Sequence, residues 1–265
     1  MPAEQTSSTT SRVFRPSGNW GRLRGRPARW TGVLVLVAVF VPSVLASLLL
    51  FYWESTNTGL LVHDQAIIEA AAETRDPAWV PVVTVYSDLG DPAPAIVLTF
   101  LACLGLALLW RSITPLVLML LGGAGSLAMS MTTKAYADRV RPPVDLAVSA
   151  VEPSWSFPSG HALNATIIAG VFAYLFVSRT RSWRVAAVAV PLALLHTTLM
   201  GLSRVYLGAH WFTDVVVGWF MALAWLGLVV AVHQLLLRRF ERWPPQTDLR
   251  GDGEGLPGGT ATVSA

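Results

Sequence analysis

Six apolar runs separated by polar stretches dominate the chain, covering 30–53, 92–110, 113–133, 161–177, 185–202 and 213–237. At 1.5 Å per residue, helices of about 20 residues cross the roughly 30 Å hydrocarbon core of a bilayer. The pattern therefore predicts an all-α, polytopic membrane protein, a bundle of six transmembrane helices. The first run continues to Phe51, well past the weak cleavage-like sequence Val44-Leu45-Ala46. That is too long for a signal-peptide core, so an uncleaved first span is expected, with a kink at Pro42. Residues 1–29 and 238–265 are rich in Ser, Thr, Pro, Gly and Arg without apolar periodicity. They read as disordered tails flanking one membrane domain, 30–237.

The connection from Glu54 to Asp91 carries seven carboxylates against the single Arg75. A short helix from about Leu60 to Glu73 is expected within it, lying on the membrane surface. Its charges do not sort onto one face.

Composition agrees with this picture. Hydrophobic residues make up 53% and charged residues 13% of the chain, against about 25% charged in soluble domains. The net charge is +3, but no basic stripe with interleaved aromatics appears. Nucleic-acid binding is thereby set aside. Cys103, the one cysteine, lies in an apolar run and reads as a packing residue.

Charge also orients the bundle. Arg22 to Arg29, Arg111, the Arg179–Arg184 turn and Arg238 to Arg242 fall on one side of the six spans. By the positive-inside rule that side, with both termini, is cytoplasmic. The expected location is the cell (plasma) membrane. Lys134, Arg139, Arg141 and Arg204 fall on the other side, against the rule. Anion binding is a reason for them to be there.

Three polar clusters lie on that outer side. They are Lys134 to Pro142, Pro158-Ser159-Gly160-His161, and Ser203 to Asp214. Lys134 offers a point charge, and Arg141 and Arg204 offer planar forks for phosphate oxygens. Gly160 at a helix start leaves backbone N–H groups free, and Ser159 adds a hydroxyl. His210 and Asp214 are four apart, about 40° apart around a helix. On one helix face the carboxylate would fix the imidazole tautomer and leave the other nitrogen to attack phosphorus. His161 is left as general acid. No metal-ligand cluster is apparent, and no metal or other cofactor is expected.

Lys134-x6-Arg141-Pro142, Pro158-Ser159-Gly160-His161 and Ser203-Arg204-x5-His210-x3-Asp214 resemble the three signatures of the type 2 phosphatidic acid phosphatase family. That family shares its phosphate site with vanadium haloperoxidases and bacterial acid phosphatases. The resemblance covers about Trp30 to Leu237. It implies a six-helix core and a phosphohistidine on His210. It further implies a general acid at His161, phosphate contacts from Lys134, Arg141, Ser159, Gly160 and Arg204, and no metal. The expected partners are the bilayer and a lipid phosphate. Phosphatidate, phosphatidylglycerol phosphate and polyprenyl diphosphate all qualify. A phosphotransferase of the same fold, or a non-catalytic lipid-phosphate binding or transport protein, is the alternative.

Other polar residues read more simply. His196, inside the fifth span, is expected to be a packed or hydrogen-bonded histidine, and His63 and His233 surface or interfacial ones. Asp138 and Arg139 are expected to tune their loop or pair with each other. Trp155, Phe157 and Trp211 either line a lipid entrance or belong to the aromatic belt.

Overall fold

The computed structural model describes residues 31–148, 153–180 and 182–240. The tails expected at 1–29 and 238–265 lie outside these residues, apart from the helix end at 238–240. Among the described residues all regular structure is helical, and six helical segments are long and apolar enough to cross a membrane.

The first span joins α1 (Thr31–Val35) to α2 (Val41–Thr56) through a π turn, Leu36–Phe40. Pro42 accounts for the wide turn. It has no N–H to donate, and its ring crowds the carbonyl four residues back, so the backbone opens just ahead of it. The disturbance expected at Pro42 thus takes the form of a π turn. α2 stops where Asn57 adopts a left-handed conformation at φ 50°.

The acidic connection contains two short helices, α3 (Asp64–Glu73) and α4 (Val80–Asp88). A 3-10 turn, Gly59–His63, leads into α3, close to the expected helix. α4 was not expected, because Val-Pro-Val-Val-Thr-Val is β-branched and a poor helix former. Packing against the fifth span overrides that local preference.

The remaining spans are α5 (Pro92–Trp110), α6 (Thr114–Ala137), α7 (Gly160–Thr180), α8 (Trp183–Tyr206) and α9 (Phe212–Phe240). α6 and α8 run about one turn beyond the apolar runs that predicted them, so Lys134 and Arg204 sit in final helical turns rather than in loops. Hydropathy ends before the backbone does. α6 stops only at Asp138, held in the left-handed region at φ 46°, where a short polar side chain is tolerated.

α7 and α9 form the centre. Leu163, Ile167, Val171 and Leu175 recur every four residues on α7 and are buried against Val217, Met221 and Val229 of α9. Lipid is as apolar as these side chains, so close packing rather than exclusion from water holds the pair together. Gly218 allows it: a Cβ there would lie 2.9 Å from the Ser159 carbonyl oxygen. α5 is peripheral, with Ile96, Val97, Phe100, Leu101, Leu108 and Leu109 exposed as a lipid-facing surface. Alternating helix direction brings the C-termini of α2, α6 and α8 and the N-termini of α5, α7 and α9 to one end. The polar clusters collect there.

Candidate active site at one end of the bundle

His210 lies in the turn between α8 and α9, not on a helix. The sharing of one helix face by His210 and Asp214 is therefore corrected. Gly208, at φ 77°, reverses the chain after α8, and a Cβ there would meet the Leu146 carbonyl oxygen at 2.5 Å. The backbone N–H groups of Ala209 and His210 return to the Arg204 carbonyl at 2.9 and 3.3 Å. α9 then begins, and Asp214 in its first turn reaches back to accept the N–H of Trp211 at 3.0 Å. This is the side-chain half of a capping box. The fold-back, not helical periodicity, brings Asp214 Oδ2 within 3.4 Å of His210 Nδ1.

Two partners then set the imidazole tautomer. A carboxylate only accepts, so Nδ1 carries the hydrogen facing Asp214. Arg141 Nη1, which only donates, lies 3.3 Å from Nε2. Nε2 therefore holds the lone pair. His210 is 1% exposed, and its pKa is pushed below the ordinary value chiefly by burial. The hydrogen bond and charge of Asp214 oppose that shift, while Arg141 and Arg204 reinforce it. The ring is a neutral base at pH 7.

Further cations lie around Arg141 and His210. Arg141 is held by the Ala209 carbonyl at 2.7 Å and the Ser154 carbonyl at 2.8 Å. It shares the Ser154 hydroxyl with Lys134, at 3.1 and 2.9 Å. Lys134 also donates to the Trp155 carbonyl at 2.8 Å. Arg204 is buried in the last turn of α8 and donates to the Ser87 hydroxyl of α4 at 2.8 Å. Ser159 is buried immediately before α7, and its N–H meets the Asp214 carbonyl at 3.0 Å. The α7 N-terminus, with Gly160 and His161, is thus fastened to the first turn of α9. His161 Nε2 lies 3.0 Å from a carboxylate oxygen of Asp91 at the start of α5.

Several residues here escaped the sequence reading. Arg139 pairs with Asp64 and Asp214, at 2.7 and 2.6 Å, rather than with Asp138. The Ser156 hydroxyl donates to Asp214 Oδ2, and Ser87 and Asp91 come from the acidic connection. No local pattern marks Asp64 among seven carboxylates; Arg139 is hinted at only by its positive charge on the side opposite most of the arginines and its place two residues before Arg141. Phe157 is fully buried and meets Phe51 edge-on, so it lines no lipid entrance. His233, expected to be a surface or interfacial histidine, is half-buried between α9 and α7 with Nδ1 2.7 Å from the Tyr174 hydroxyl. His196 is a hydrogen-bonded histidine as expected, 3.0 Å from Tyr86, and Cys103 is buried in packing.

A sequence profile described as the PAP2 superfamily matches residues 100–238. The chain belongs to the PAP2 superfamily. It is 33% identical to phosphatidylglycerophosphatase B of Bacillus subtilis over 181 residues, 66% of this chain and 85% of that one. An undecaprenyl-diphosphatase of Sulfolobus acidocaldarius is 33% identical over 75 residues, 28% of this chain and 32% of that one. The crystal structure of the transmembrane PAP2-type phosphatidylglycerolphosphate phosphatase from Bacillus subtilis superposes with a TM-score of 0.66 at 29% identity. It covers 77% of this chain and 98% of its own. The six-helix architecture is that of a membrane PAP2 protein, and this PAP2 chain is a multi-pass membrane phosphatase.

Proposed function

We propose that this PAP2 phosphatase hydrolyses a lipid phosphate monoester or diphosphate through a phosphohistidine on His210. One observation carries the reading: Nε2 of a buried, neutral His210 faces the Arg141 guanidinium while Asp214 holds Nδ1. A phosphoryl group binding there would meet Lys134, Arg141 and Arg204 as cations, with Ser159 and the backbone N–H groups opening α7 as donors. His210 Nε2 attacks phosphorus, the nitrogen–phosphorus bond forms and the bond to the lipid oxygen breaks. His161 gives its proton to that leaving oxygen. His161 then takes a proton from water, which attacks the phosphohistidine, releases inorganic phosphate and restores His210.

Phosphatidylglycerol phosphate, phosphatidate and polyprenyl diphosphate are the substrates proposed, since each presents a terminal phosphoryl group at headgroup depth. The B. subtilis relative favours testing the first of them foremost. The lipid-facing flanks of the bundle would keep the substrate's tail in the bilayer. Arginines at the opposite end, including Arg111, Arg179 and Arg184, support placing that end and both termini in the cytoplasm and the site outside.

The deciding assay is phosphate release by the purified protein in lipid nanodiscs across a panel of these lipids. Turnover of at least one, with acid-labile phosphate trapped on the His210 peptide, is the expected result. Absence of release from every lipid would overturn it. A reporter fused after Arg242 should be cytoplasmic.

A further inference from the structure

Asp64 lies outside the segment matched by the superfamily profile, in the acidic connection between the first two spans. It is nevertheless 2% exposed. Its Oδ1 accepts the backbone N–H of Thr213 at 3.0 Å. Its Oδ2 accepts Arg139 Nη2 at 2.7 Å and the Thr213 hydroxyl. Thr213 is the second residue of α9, so Asp64 caps that helix from another part of the chain. Arg139 spans the gap. Its Nη1 donates to Asp214 Oδ1 at 2.6 Å and to the Thr213 hydroxyl at 2.9 Å. The Arg139 backbone carbonyl also accepts the N–H of Ser156, whose hydroxyl bonds Asp214 Oδ2. One oxygen of Asp214 is therefore occupied by Arg139 and the other is turned to His210.

We propose that Asp64 and Arg139 are positioning residues of the phosphatase site: Asp64 clamps the α9 N-terminus and Arg139, and Arg139 in turn fixes the carboxylate that orients His210. The proposal rests on His210 as nucleophile. A fork between two carboxylates sets both distance and plane, which a lysine cannot do. Asp64 also brings a second negative charge to a buried cluster. His210 is faced by Asp214 from α9, by Arg141 from the loop after α6 and by Arg204 from α8. Arg139 and Asp214 are faced also by Glu54 at the end of α2. Removing Asp64 subtracts a negative charge from this set, and removing Arg139 subtracts a positive one. The two losses must move the protonation of His210 in opposite directions. Charge alone produces that opposition; the orienting fork is tested separately by a lysine, which keeps the charge and loses the plane.

The test compares the full-length protein with Asp64→Asn, Arg139→Gln and Arg139→Lys in nanodiscs, using the lipid turned over best. Asp64→Asn and Arg139→Gln should each lower kcat by about 10²-fold, the cost of a displacement of about 1 Å at the reacting centre. KM should stay within about threefold, since neither residue touches substrate. The acid limb of kcat/KM should move down in Asp64→Asn and up in Arg139→Gln, since the first removes a negative and the second a positive charge near His210. The substrate's own ionisation is common to both and cancels. Arg139→Lys restores the charge but not the fork, so the limb should return to its original position while kcat recovers only in part. An independent arm titrates His210 by NMR in 15N-histidine-labelled protein and needs no turnover. Opposed shifts there support the proposal; absent shifts, or shifts of one sign, overturn it. Failure of the unaltered protein to release phosphate would count against the hydrolase reading instead, with the NMR arm still deciding the roles of Asp64 and Arg139.

Discussion

The guanidinium of Arg141 stands 3.3 Å from Nε2 of His210 while donating at 2.7 Å to the carbonyl of Ala209, the preceding residue. One side chain thus grips the backbone of the turn and marks the nitrogen that would attack phosphorus. When phosphate enters, its oxygens can take over the hydrogen bonds of Arg141, leaving the lone pair of Nε2 free. Binding would then also unmask the proposed nucleophile.

His210→Ala should lower phosphate release by about 10⁴-fold or more, because the proposed nucleophile is gone. Asp214→Asn should cost about 10²- to 10⁴-fold by permitting the wrong tautomer. Steady-state assays on protein with unchanged membrane insertion check both. Turnover by His210→Ala within tenfold of the unaltered protein would exclude the nucleophile assignment.

Acid should inactivate the enzyme only below the usual histidine range. Burial holds the His210 pKa below its ordinary 6.5, and the proposed attack needs the neutral ring. The neutral fraction is therefore high at pH 7 and falls as pH drops through the lowered value. The acid limb of kcat/KM for a diphosphate substrate should lie below pH 6.5. A midpoint above 6.5 would contradict this placement.

Asp91 is the carboxylate 3.0 Å from His161, the proposed proton donor. Asp91→Asn should slow hydrolysis of alkyl phosphates by about tenfold, since these leaving groups need a proton. A nitrophenyl phosphate, whose leaving group departs unaided, should be affected much less. Comparing kcat for the two substrate types decides it; equal losses would point to simple disruption.

Gly218→Val should destabilise the protein by about 1–3 kcal/mol through overpacking. The new side chain would press on the Ser159 carbonyl, 2.9 Å from its Cβ, and push the α7 N-terminus from α9. A lower melting temperature together with a raised KM is expected, read by thermal unfolding in detergent and by kinetics.

The proposed neutralisation of phosphate charge by Lys134, Arg141 and Arg204 predicts that activity survives a metal chelator. Vanadate, which adopts a five-coordinate geometry like that of phosphorus in transfer, should inhibit competitively with substrate. Activity lost on chelation and restored by a divalent cation would reverse this expectation.

The six spans and the residues of the three signatures were legible from the sequence, because each rests on short-range patterns. A run of apolar residues long enough to cross a bilayer has few other solutions, and Lys134, Arg141, Ser159, Gly160, His161, Arg204, His210 and Asp214 stand at short, fixed spacings. Helix ends were less legible. Lys134 and Arg204 lie on helices because the backbone continues past the last apolar residue.

Tertiary structure alone decided how the His210–Asp214 contact is made and what stands behind it. The contact comes from a turn at Gly208 and a cap on α9, not from helical spacing. Asp64, Ser87 and Asp91 belong to a segment whose seven carboxylates look alike in sequence. Asp64 reaches Arg139 across 75 residues and Thr213 across 149. A lone carboxylate carries no local mark of such a partner. Only the packing of α3 against α8 and α9 selects one acid to be buried on Arg139 and leaves others in water.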